Sequence, residues 1–164
     1  MFSRSSDVSS VYKQHFEEQL AATCKAHLEV FDNVLVKKST NPAPEAQIFY
    51  LKTTADYYRF LAELGGKLHA QKAKMYYENA WKLAKEKLEP NEPILLGVAL
   101  NLAVCLSVLF GETKSARQFA KTTFEAAYDR LGELNKQKKK DATLVMQLLR
   151  DNISLWATQS ASTE

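Results

Sequence analysis

The chain has 164 residues, of which 46% are apolar, enough to bury a core and too many for a disordered segment; this favours one domain or at most two small ones. Glycine and proline number only 5 and 4, while alanine, leucine, lysine and glutamate are plentiful, a composition that favours helices. Lysine plus arginine at 22 against aspartate plus glutamate at 19 gives +3, too small an excess to signal nucleic acid or an anionic membrane, so neither is expected as a partner. Two cysteines, Cys24 and Cys105, do not make a disulfide framework. The first residues lack the apolar stretch of a signal peptide, and no run approaches the roughly 18 apolar residues of a membrane span, so a cytoplasmic protein is expected.

Ser9 and Ser10 offer an N-cap to a first long helix, in which Val11, Phe16, Leu20, Cys24, Leu28, Phe31 and Leu35 return to one face. Asn41-Pro-Ala-Pro-Glu ends it, since proline removes a donor and biases the residue before it toward extended geometry. A second helix is expected over 45–64, closed by Gly65-Gly66, and a third over 68–88, ending before Pro90. Pro93 suits the first turn of a fourth, over 93–110, stopped at Gly111. A fifth over 114–133, a lysine-rich connector and a sixth over 141–158 complete the reading. The fold class is all-α, an antiparallel array of about six helices: residues 1–10 a short N-terminal segment, 11–158 the helical domain and 159–164 a tail.

Some residues depart from plain helical packing. Lys52 and Arg59, seven positions apart, share almost one azimuth about 10 Å apart along the second helix, with the small Ala55 read as leaving room between them. The fourth helix is apolar nearly all round yet carries Asn101, and in the sixth Asn152 interrupts the stripe Leu144, Leu148, Leu155. A buried amide without partners costs roughly 1–3 kcal/mol. Two amides, apolar walls and a basic stripe are what a groove for an extended peptide needs: amides for the ligand backbone, cations for an acidic group. Searches for chemistry return little. Cys24-x-x-His27 lacks a second pair of ligands, Gly65-Gly66-Lys67 lacks the rest of a phosphate loop, Lys136 and Lys138 to Lys140 read as a solvated loop, and Met75, Tyr76, Tyr77 and Trp81 read as core. No cofactor, metal or enzymatic activity is expected.

Three segments carry a family resemblance. Phe49-Tyr-Leu-Lys-Thr-Thr-Ala-Asp-Tyr-Tyr-Arg-Phe-Leu-Ala-Glu is similar to FYLKMKGDYYRYLAE of the 14-3-3 family. Pro93-Ile-Leu-Leu-Gly-Val-Ala-Leu-Asn resembles its PIRLGLALN, and Asp141-Ala-Thr-Leu-Val-Met-Gln-Leu-Leu-Arg-Asp-Asn-Ile-Ser-Leu-Trp its DSTLIMQLLRDNLTLW. The likeness covers about residues 11–158, the last six of the family's nine helices. It implies a non-enzymatic adaptor that binds phosphoserine or phosphothreonine peptides, or acidic segments. By position Arg59 matches the family's phosphate-binding arginine of this helix, and Lys52 a basic residue of the groove. Asn101 and Asn152 match the asparagines that hold the peptide backbone; Leu100, Val104, Leu148, Leu155 and Trp156 match its apolar wall.

The departures bear on affinity. Phe60 stands where the family has a phosphate-binding tyrosine, Val108 where it has a glutamate, and the acidic tail is reduced to Ser160-Ala-Ser-Thr-Glu164. The family's other lysine and arginine of the pocket belong to its third helix, which this chain either lacks or retains only as a scrap around Arg4. Losing two cationic contacts and a hydroxyl would weaken a phosphopeptide by about 3 kcal/mol, around a hundredfold. The family's dimer-forming helices lie before the matched stretch, so its usual homodimer is not carried over and a monomer or non-standard dimer is expected. The competing expectation is a structural or assembly protein with a vestigial groove, in which Arg59 is tied up in an internal ion pair, for example with Asp56 one turn earlier.

Overall fold

The computed structural model describes residues 4–37, 43–65 and 67–161. Six α-helices follow in chain order: α1 (Arg4–Lys37), α2 (Pro44–Glu63), α3 (Lys67–Lys87), α4 (Pro93–Phe110), α5 (Thr113–Arg130) and α6 (Lys136–Ala161), with a single 3₁₀ turn, Leu131–Glu133, between the last two. The described residues contain no strand, in agreement with the all-α reading. Each helix packs on the next in sequence through a short connection, so neighbours run antiparallel; α2 and α3 share the most extensive contact.

The punctuation works largely as read. Pro44 and Pro93 occupy the first turns of α2 and α4, where a missing N–H costs nothing. Gly111 closes α4 with φ +67°, a left-handed conformation natural to glycine, and its N–H reaches the Ser107 carbonyl at 3.2 Å.

Both ends of the array differ from expectation. α1 begins at Arg4, so Ser9 and Ser10 lie inside it and most of the short N-terminal segment 1–10 is helical. No glycine or proline interrupts the chain from Arg4 to Lys37, and an N-cap signature cannot stop a helix that starts upstream. α6 begins five residues early, so the lysine-rich connector is its first turns. The cause is Asn135: its Oδ1 accepts the N–H of Lys138 at 2.9 Å, an N-cap that the lysine run conceals.

α4 is the axis of the core. It touches α2, α3, α5 and α6, and contributes to all three buried clusters: Cys24, Ala55, Tyr58, Tyr77 and Cys105 toward the N-terminal helices; Leu96, Ala103, Met146, Leu149 and Trp156 toward the C-terminal ones; Ile48, Ala80, Leu95 and Val98 between. The expectation that no run reaches membrane-span character is corrected here, because Pro93–Phe110 has a mean hydropathy of 2.4 over 18 residues. Its apolarity matches its position: seven of its residues, from Leu95 to Cys105, are buried against neighbouring helices. Alanine seams let those neighbours approach. Ala116, Ala120 and Ala127 recur on one face of α5 and are fully buried, with Thr123 among them satisfying its hydroxyl on the Phe119 carbonyl at 3.0 Å. Turns at one end are tied together as well: Asn91 donates to the Arg130 carbonyl at 2.7 Å, and Lys138 pairs with Glu92 at 2.7 Å.

Candidate functional site

The basic stripe of α2 is built around Asp56, which the sequence offered only as an ion-pair partner for Arg59. Ala55 does not open a space between Lys52 and Arg59; it is fully buried in the core. At 100° per residue Asp56 stands about 40° from Lys52 on the opposite side from Ala55, and there it becomes the hub. Its carboxylate accepts the Lys52 ammonium at 2.8 Å, the Asn101 amide Nδ2 at 2.8 Å and the hydroxyl of Tyr77 on α3. Tyr77 in turn accepts Arg59 Nε at 3.4 Å, while Arg59 Nη1 pairs with Glu63 at 2.8 Å. Lys52, Arg59 and Asn101 are thus joined across three helices in one hydrogen-bonded network.

The electrostatics favour a permanent cation. Burial works against the Arg59 charge, but Tyr77 and the carboxylates of Glu63 and Asp56 outweigh it and raise its pKa. Burial, reinforced by Asp56, pushes the Tyr77 phenol above its ordinary range, so it remains a donor. A carboxylate only accepts, which settles the Asn101 amide with Nδ2 toward Asp56 and leaves Oδ1 without a partner among the described residues. The Arg59 guanidinium also lies over the Phe60 ring, 5.0 Å from its centroid, and that ring is 39% exposed.

The α6 side is separate. Asn152 donates to the Leu148 carbonyl of its own helix at 2.9 Å, and no hydrogen bond joins it to the α2 network among the described residues. Leu148 and Leu155 are exposed beside it, forming an apolar surface. Leu100 and Val104 are half-buried against the C-terminal core, linking the two sides through α4. Trp156 is only 3% exposed and sits within that core, so it supports the leucine wall from behind. Val108 is exposed, and the Arg4 side chain lies outside the described residues.

Glu63 and Tyr77 were missed, and Asp56 pairs with Lys52 in place of Arg59. Both carboxylates had a signal, since each stands four positions after a cation and such pairs face each other on a helix. Tyr77 had none, because its role depends on how α3 docks on α2. The other candidates are ordinary packing: Cys24 is buried, whereas His27 is exposed, donates from Nδ1 to the Thr23 carbonyl at 2.9 Å and stacks on Tyr57.

The family model described as 14-3-3 protein matches residues 3–157. The 14-3-3 protein theta of Homo sapiens and that of Mus musculus are each 38% identical over 157 residues, covering 93% of this chain and 63% of their own length. The 14-3-3 protein beta/alpha of Gallus gallus is 36% identical, with 93% of this chain and 64% of its own length covered. The chain therefore spans somewhat less than two thirds of these curated relatives. A match across nearly all of its residues, running through the helices that carry the network, shows that the chain belongs to the 14-3-3 family.

Proposed function

We propose that the chain is a non-enzymatic adaptor that holds phosphoserine, phosphothreonine or acidic peptide segments in a groove walled by α2, α4 and α6. The observation that carries this reading is the network that sets Lys52, Arg59 and Asn101 together around Asp56. Arg59 supplies a planar fork for a phosphate, and Nη2 enters none of the bonds described above. Asn101 and Asn152 both spend an amide donor inside the protein, which leaves their carbonyl oxygens to accept peptide N–H groups. Leu148 and Leu155 provide the apolar wall, and Leu100 and Val104 line its α4 side.

Phosphate recognition is weakened in this reading, for two local reasons. Phe60 offers no hydroxyl, and each groove cation already has a carboxylate one turn along, so a ligand must compete with Asp56 and Glu63. The same self-pairing favours a second reading, in which the groove is vestigial and the helical faces serve assembly. Calorimetry with a phosphoserine peptide and its unphosphorylated twin separates the two: the adaptor predicts a phosphate-dependent difference in Kd, the assembly protein none. In the adaptor, Phe60→Tyr should tighten the phosphopeptide by roughly 1–2 kcal/mol, about five- to thirtyfold, because it restores a hydroxyl donor on a residue that is partly exposed beside Arg59. No change on the phosphopeptide would favour assembly.

A further inference from the structure

The face of α6 that carries Leu148 and Leu155 does not end with them. Leu144 is 62% exposed on the same face, and one turn earlier the stripe continues into Lys140 and Lys136, with Lys139 on its flank. A shallow depression of about 450 Å³ is lined by Lys136, Lys139, Lys140 and Leu144. The three ammonium groups are exposed and make no ion pair among the described residues, whereas Lys138, on another side of the helix, is engaged by Glu92. The carboxylate in the depression, Asp141, is occupied by Gln137 at 3.0 and 3.2 Å. Their position is not explained by helix electrostatics, since cations in the opening turns of a helix act against its dipole.

We infer that this lysine-and-leucine face of α6 docks the acidic flank of a bound peptide, a segment with an apolar side chain over Leu144 and Leu148 followed by several aspartates or glutamates. The inference rests on the groove reading and extends it to the class of client. Charge complementarity selects the occupant: unpaired cations at one end of an exposed apolar stripe suit a chain that is apolar and then acidic. Helix geometry sets the spacing. From Asn152 to Lys140 and Lys136 is about 18 and 24 Å along the axis, a distance an extended peptide covers in about five to seven residues.

The test uses the whole chain and fluorescently labelled peptides: a phosphoserine core, the core with three glutamates placed five to seven residues from the phosphoserine on either flank, and glutamine twins of each. One glutamate-flanked peptide should bind about tenfold tighter than its glutamine twin. The gain should vanish at 0.5 M salt and in the combined Lys136→Gln, Lys139→Gln, Lys140→Gln variant, while the core peptide binds that variant within twofold of the parent. A core peptide that binds with no gain from either flank overturns this inference and leaves the groove reading standing. If the core and the flanked peptides all fail to bind, both fall. A gain that survives loss of the lysines, or lysine-dependent binding only to phosphatidylserine vesicles or duplex DNA, also overturns it.

Discussion

Arg59→Ala is expected to weaken a phosphopeptide by about 1.5–3 kcal/mol, some ten- to a hundredfold, and to change the unphosphorylated twin by less than threefold. The asymmetry follows from geometry. Arg59 meets Glu63 through one nitrogen and Tyr77 through another, and a phosphate would recruit the rest of the fork. Part of the gross attraction is offset by displacing Glu63, but that pair is partly exposed and worth at most about 1 kcal/mol. Removing the competitor should therefore do the reverse on a smaller scale: Glu63→Gln should tighten the phosphopeptide by about two- to fivefold. Titration of both variants with both peptides provides the check. Equal losses on the two peptides in Arg59→Ala would mean that Arg59 supports the fold and not the phosphate.

The second large effect is on stability. Asp56→Ala removes the acceptor of the fully buried Tyr77 and of Asn101, and leaves Lys52 unpaired. A buried donor left unsatisfied costs roughly 1–3 kcal/mol, so a loss of about 2–4 kcal/mol is expected, or on the order of 5–15 °C in Tm. Pairing it with Tyr77→Phe should recover part of the loss, because the orphaned hydroxyl disappears with its acceptor. Urea melts followed by circular dichroism would measure this, and a loss below about 0.5 kcal/mol would show the network to be a surface ornament.

These residues show how far the sequence reached. Helix positions around proline and glycine were legible because those signals act locally, as Pro44, Pro93 and Gly111 show. Asn135 escaped because its cap lies before a lysine run that reads as loop. In the site, Lys52, Arg59 and Asn101 stood out by type and spacing, and the family resemblance pointed to the same positions. Which carboxylate each cation takes was not legible. Asp56 lies within reach of both cations along the helix, and it goes to Lys52 because Asn101 and Tyr77 draw it from other helices, leaving Arg59 to Glu63. Such a choice belongs to tertiary packing, as does the retreat of Trp156 behind the leucines.

The order of contacts along the chain also governs how the protein opens. Each helix leans on its immediate neighbours, with α4 alone bridging to helices two places away on both sides, so the molecule behaves as a short one-dimensional stack. In such a stack cooperativity is highest in the middle and the ends fray first. The two ends are unequal: α6 is held by α4, α5 and the 3₁₀ turn, whereas α1 rests on α2 alone among the described helices. Release of α1 would bare the Cys24 thiol and its patch of core while the hydrogen bonds joining α2, α3 and α4 stayed assembled, so that network can outlast the detachment of the first helix.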